Sequence, residues 1–183
     1  MINHGIKHSR SQALIDYACE FAEKAHEGQQ RKYTLEPYIN HPVEVAQIVS
    51  MVTDDCECIC AAFLHDVIED CGVTKQELVE KFGYSIAEMV DQLSDKSKPE
   101  DGNRSRRKQI DRLHTAAAWP KTKTVKLADL ISNTSSITQY DPDFSNVYLR
   151  EKQLLMEVLK DGDARLYDDC VAILKKNGIE VDV

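Results

Sequence analysis

Residues 59–70 read Ile59-Cys60-Ala61-Ala62-Phe63-Leu64-His65-Asp66-Val67-Ile68-Glu69-Asp70. An unbroken apolar run leads directly into a histidine and a group of carboxylates. The spacing predicts one core helix from Asp55 to about Asp70, apolar at its centre and polar at its end. On such a helix His65 and Glu69 fall at i and i+4, as do Asp66 and Asp70, so each pair shares a face. Buried carboxylates are costly unless paired or bound to a cation. Three of them at the C-terminal end of a helix also oppose its macrodipole. A divalent cation would relieve both problems.

The helical signal extends outward in both directions. Leu14, Ile15, Ala18, Phe21, Ala22 and Ala25 recur at three- and four-residue spacing, predicting an amphipathic helix over Ser11–His26. A polar loop, roughly Glu27 to Asn40, holds Arg31, Lys32 and Pro37. Pro42 sits where a first helical position tolerates it, and Val43, Val45, Ala46, Ile48 and Val49 continue a buried helix. Thr74 with Glu77, and Ser85 with Glu88, have the capping-box form that opens a helix. Asp95 to Arg107 reads as a hydrophilic loop entering a helix near Arg104. The basic stretch Lys96 to Lys108 either folds over bound phosphates or is a solvated loop, and the second is expected, as charge runs usually are solvated. Pro120 precedes a helix over Thr122–Thr138, Asp141-Pro142 breaks the chain, and Asn146–Lys160 is amphipathic. Gly162 and Gly178 bracket a last helix at about 163–177. The expectation is a compact all-α bundle, one domain over residues 1–183 with its core at about 12–160.

Composition agrees with that reading. The 183 residues are 42% hydrophobic and 30% charged, with only 7 glycines and 5 prolines. A turn-rich β-sandwich or barrel is therefore disfavoured. The net charge of −8 argues against a nucleic-acid polymer as partner, since phosphate neutralisation needs basic surface. A small anion remains possible through a local site or a metal ion. No apolar run is long enough for a membrane span, and MINHGIKHSR carries no export signal, so a cytoplasmic protein is expected. Its six cysteines then read as reduced thiols. Cys56, Cys58 and Cys60 have C-x-C-x-C rather than zinc-knuckle spacing and lead into an apolar helix, which favours packing over metal binding.

Two further residues belong with His65 and Asp66. His41 stands at a helix start in Asn40-His41-Pro42, and Asp129 is an acid inside Val125-Lys126-Leu127-Ala128-Asp129-Leu130-Ile131. Two histidines and two aspartates suit Mn²⁺, Fe²⁺ or Zn²⁺, with open positions for water and substrate. The alternative is local hydrogen bonding at each residue, and four such residues in apolar settings weigh against it. His26 at a helix end, His114 among polar neighbours and Trp119 before Pro120 carry no matching motif and read as structural.

The order His41, His65-Asp66, Asp129 resembles the HD metal-dependent phosphohydrolases. RKYTLEPYINHP, AAFLHDVIED and VKLADLISN are similar to the hydrolase domain of RelA/SpoT proteins, closest to the small stand-alone (p)ppGpp hydrolases. The resemblance implies an HD-type helical bundle that removes pyrophosphate from the ribose 3′ position of ppGpp or pppGpp. It implies one divalent ion, typically Mn²⁺, held by His41, His65, Asp66 and Asp129. Glu69 and Asp70 would position or deprotonate the attacking water. Arg31, Lys32 and Asn133 would lie near the nucleotide, with Tyr148 as a looser match on a later helix. The chain departs from the family at Leu130, usually basic, and at Thr134-Ser135-Ser136. Those departures bear on nucleotide preference, leaving an NADPH 2′-phosphatase or a non-catalytic nucleotide sensor as alternatives.

Overall fold

Ten α-helices and one short 3₁₀ turn build the described part of the chain, residues 10–181 of a computed structural model. The opening residues MINHGIKHS, on which the export-signal reading rests, lie outside the described residues. In chain order the helices are α1 (Arg10–Ala25), α2 (Asn40–Ser50), α3 (Cys56–Leu64), α4 (Val67–Cys71) and α5 (Lys75–Phe82). There follow α6 (Tyr84–Leu93), α7 (Arg104–Ala116), α8 (Pro120–Tyr140), α9 (Pro142–Met156) and α10 (Ala164–Lys176). No strand occurs among the described residues, which hold only an isolated bridge between Gln30 and Pro37. The all-α expectation is met.

Helix α3 is the hub. It packs against α1, α2, α6 and α8, and Cys58, Cys60, Ala61, Ala62 and Leu64 are buried in one continuous core. Helix α8 crosses the other side of that core and contacts α2, α3, α6, α9 and α10. The cysteine cluster is therefore core material, with Cys58 and Cys60 at most 2% exposed.

The single helix expected over Asp55–Asp70 is two. Asp55 caps α3 by accepting the Glu57 amide, but α3 ends at Leu64, and Asp66 (φ −100, ψ −5) starts α4. Its carboxylate makes no cap bond there and is committed elsewhere. The break reverses the dipole argument. Glu69 and Asp70 lie in the first turn of α4, where a helix end favours negative charge.

Other boundaries shift for local reasons. Thr74 caps α5 through the Glu77 amide as expected. Ser85 caps nothing, because Gly83, at a φ of 84 that favours glycine, separates α5 from α6 two residues earlier. Ser85 instead donates to Glu57 at 2.7 Å. Pro120 and Pro142 are first helical residues rather than breaks before helices, which starts α8 and α9 two and four residues ahead of expectation.

Gly162 closes the turn before α10 against α8. A Cβ there would meet Leu127 Cδ1 at 2.7 Å and backbone atoms of Leu159 and Lys123 at 3.2 Å. Gly162→Ala should therefore cost about 1–3 kcal/mol, the usual range for overpacking. Chemical denaturation would read this as a lower midpoint with an unchanged slope.

Candidate metal centre and its cavity

Two helix ends and one long helix bring the four candidate ligand side chains together. His41 is the second residue of α2, His65 and Asp66 form the turn between α3 and α4, and Asp129 faces them from the middle of α8. Both imidazoles are 2% exposed. Their hydrogen bonds fix which nitrogen is free. Ser132 donates its hydroxyl to Glu44 at 2.6 Å, so its oxygen accepts from His41 Nδ1 at 2.9 Å. His65 Nδ1 lies 2.8 Å from the Ala62 carbonyl and must donate to it. In both rings Nδ1 holds a proton, so Nε2 is the nitrogen turned toward the carboxylates, and it binds a cation once it has given up any proton of its own.

The two Nε2 atoms are 3.2 Å apart. Asp66 Oδ2 lies 3.0 Å from that of His65 and 3.7 Å from that of His41. Asp129 Oδ1 lies 3.3 and 3.8 Å from those of His41 and His65. Facing lone pairs at such distances are satisfied only by a shared proton or a metal ion. His41, His65 and Asp66 are close enough together to share one ion, and with Asp129 beside them the two imidazoles and two carboxylates fit a divalent ion.

The surround is built to hold these groups. Tyr38 donates to Asp66 at 2.7 Å. Asn133 donates to Asp129 Oδ1 at 2.5 Å, and Lys126 lies 3.2 Å from its Oδ2. Burial opposes charge on Asp66 and Asp129, yet His65 at the first and Lys126 at the second outweigh it and hold both carboxyls below their usual range. Burial likewise opposes charge on His65, but Asp66, then Asp129, raise it to about 9.

Asp66 and Asp129 line a cavity of about 870 Å³. One wall carries Glu69 and Asp70, whose carboxyls are pushed above their ordinary values by burial, with Asp66 adding to the effect at Asp70. The other wall, from α7 and α9, carries Arg104, Lys108, Arg112, Arg150 and Lys152. Part of the basic stretch expected to be solvated therefore lines the cavity. Lys108 is folded inward by Asp95 at 2.5 Å and Asp111 at 3.4 Å, and Asp111 in turn accepts the amides of Lys96 and Ser97.

The nucleotide-side expectations divide. Asn133 lines the cavity, and Arg31 reaches it at 3.4 Å while bonding Ser136 at 3.3 Å. Lys32 is exposed and pairs with Asp141, away from the cavity lining. Tyr148 does not line the cavity either; it is 6% exposed, its hydroxyl 3.4 Å from Thr134, with the Lys152 ammonium 4.8 Å above its ring. Leu130 points into the core at 1% exposure, so the missing basic residue there removes no charge from the cavity. His26 follows the last residue of α1, where it is 2% exposed, bonded to Gln29 and stacked on Tyr38, a structural role as expected. His114 bonds the Asp91 carbonyl, and Trp119 packs against the core, both structural as expected.

Tyr38 and Lys126 sit inside the quoted motifs, but nothing in their spacing marks them as partners of the ligands. Lys152 belongs to an amphipathic pattern whose polar face gives no hint that it meets α8.

Comparison with known proteins decides the family. The HD domain family matches residues 18–155. The chain belongs to the HD domain family. Within that span this HD domain is 41% identical over 133 residues to a guanosine-3′,5′-bis(diphosphate) 3′-pyrophosphohydrolase of Vibrio cholerae, covering 71% of the chain and 19% of that protein. The chain thus spans about a fifth of the length of such bacterial relatives. It is 36% identical over 140 residues to guanosine-3′,5′-bis(diphosphate) 3′-pyrophosphohydrolase MESH1 of Xenopus tropicalis, covering 74% of the chain and 75% of that protein. The fold matches a solved metazoan ortholog of SpoT that hydrolyzes ppGpp, with a TM-score of 0.83 at 23% identity over 91% of this chain and 97% of that one. No helix among the described residues of this HD domain is long and apolar enough to cross a membrane.

Proposed function

We propose that this chain, as a single phosphohydrolase domain over residues 1–183, hydrolyses ppGpp or pppGpp at the ribose 3′ position. The products are pyrophosphate and GDP or GTP. The observation that carries this reading is that the clustered His41, His65 and Asp66, with Asp129 beside them, adjoin a cavity that also holds two raised carboxyls and a basic wall. The names of the Xenopus relative, three quarters of which this chain covers, and of the bacterial relatives point the same way.

One divalent ion, most suitably Mn²⁺, would be held by His41, His65, Asp66 and Asp129, and would supply Lewis acidity and an acidified water. The chain's own groups do the rest. Tyr38 keeps Asp66 turned toward the imidazoles, and Lys126 and Asn133 do the same for Asp129. Glu69 accepts the Asp95 amide at 2.5 Å, which commits one of its oxygens and suits it to positioning water. Asp70, raised by burial, is suited to take the water's proton. The water oxygen bonds to phosphorus, the bond from phosphorus to the 3′ oxygen breaks, and that oxygen ends protonated as the ribose hydroxyl. Asn133 and Arg31 stand on the nucleotide side. Six free thiols suit a reducing, cytoplasmic setting.

The test is product analysis with purified protein, Mn²⁺ and a panel of ppGpp, pppGpp and NADPH. Stoichiometric GDP and pyrophosphate from ppGpp, lost on chelation with EDTA, is the expected result. Orthophosphate from NADPH with ppGpp intact would assign the 2′-phosphatase activity instead. Binding without turnover of any of the three would mark a sensor.

A further inference from the structure

Three lysines share the inner part of the cavity, and they are not equally committed. Lys108 is paired with Asp95 and Asp111, and Lys126 with Asp129. Lys152 has no carboxylate within ion-pair distance and no hydrogen bond among the described residues; its one polar neighbour is the face of Tyr148. Its surroundings disfavour an ammonium. Burial, then the charges of Lys126 and Lys108, lower its pKa to about 8, against the partial support of Asp129 and Asp95. Holding a third cation there is unfavourable unless an anion joins it. Arg150, on the same helix, is exposed. Lys152 lacks a carboxylate partner and yet feels the charge of Asp129, which ties it to the metal centre.

The geometry has a chemical consequence. A phosphorus placed at the four ligands lies beside Lys126, through Asp129, and a second phosphate linked to it extends into the space that Lys108, Lys126 and Lys152 surround. We propose that the Lys152 ammonium, seated on Tyr148, receives the outer phosphate of a diphosphate ester whose inner phosphate lies at the His41–His65–Asp66–Asp129 centre. Lys152 is then the residue that makes the cavity select diphosphate over monophosphate esters. This deepens the hydrolase reading and rests on it for the identity of the ester, though not for the anion.

The test separates the two. Inorganic pyrophosphate and orthophosphate are titrated into wild type, Lys152→Met and Lys152→Arg, with Mn²⁺ and in EDTA. Wild type should prefer pyrophosphate, and Lys152→Met should shrink that preference about 10- to 100-fold, the range for one charge-assisted hydrogen bond. Lys152→Arg should restore part of it. In turnover, the ratio of kcat/KM for ppGpp over its 3′-monophosphate counterpart should fall in the same order, chiefly through KM. A preference of unchanged size in Lys152→Met, an equal loss of both anions, or no preference in wild type would each overturn the assignment. Selective pyrophosphate binding by a wild-type protein that leaves ppGpp intact would overturn the reaction and keep the subsite.

Discussion

Asp66→Asn should abolish turnover while leaving the fold intact. Asparagine has the shape of aspartate, and its side-chain carbonyl can still accept the Tyr38 hydroxyl that now lies 2.7 Å from Oδ2. The residue makes no cap bond at α4 that the change could remove. What disappears is the negative charge 3.0 Å from His65 Nε2, and with it one ligand for a divalent ion. Loss of a residue merely hydrogen-bonded to a ligand costs about 10–100-fold in affinity or activity, so loss of a ligand should exceed about 100-fold. The measurements are Mn²⁺ affinity by calorimetry, helical circular dichroism and ppGpp turnover. An Asp66→Asn protein with wild-type affinity and rate would show that the centre lies elsewhere.

The candidate ligands stood out because they break a local rule. A histidine and an aspartate after Leu64, and an aspartate between Ala128 and Leu130, stand where helix packing asks for apolar residues. The groups that tune them were not legible. Tyr38 reaches Asp66 across 28 residues, and Ser132 reaches His41 across 91. Such pairings are set by how α2, α3 and α8 cross, which spacing along one helix does not encode. The break at His65–Asp66 escaped for a related reason. Residue 66 leaves the helix because its carboxylate is drawn to Tyr38 and His65, a tertiary preference that overrides a continuous helical pattern. The basic wall is a third case. Lys108 looks like part of a solvated charge run until Asp95 and Asp111 fold it inward. The long amphipathic helices were readable almost to their ends, where prolines open α8 and α9 instead of preceding them.

Leu64→Ala should produce the opposite dissociation, a centre with its ligands intact in a protein that melts early. Leu64 is fully buried and is the last residue of α3, the helix that α1, α2, α6 and α8 all pack against. Removing a leucine side chain from such a site costs about 2–5 kcal/mol, the spread reflecting how far the cavity collapses. That is a large fraction of the roughly 5–15 kcal/mol that holds a domain folded. For a chain of this length it corresponds to a fall in Tm of about 5–15 °C. None of the four ligand side chains is altered, and His65 keeps its bond to the Ala62 carbonyl on the preceding turn. Below its new midpoint the variant should still bind Mn²⁺ and turn over ppGpp, with activity vanishing at the temperature where the helical signal does. A Tm within about 2 °C of wild type would mean that α3 is not the hub of the core. Together with an inactive but stable Asp66→Asn, an active but labile Leu64→Ala would separate two adjoining stretches of one segment. The apolar half up to Leu64 carries stability, and the polar half from His65 carries chemistry.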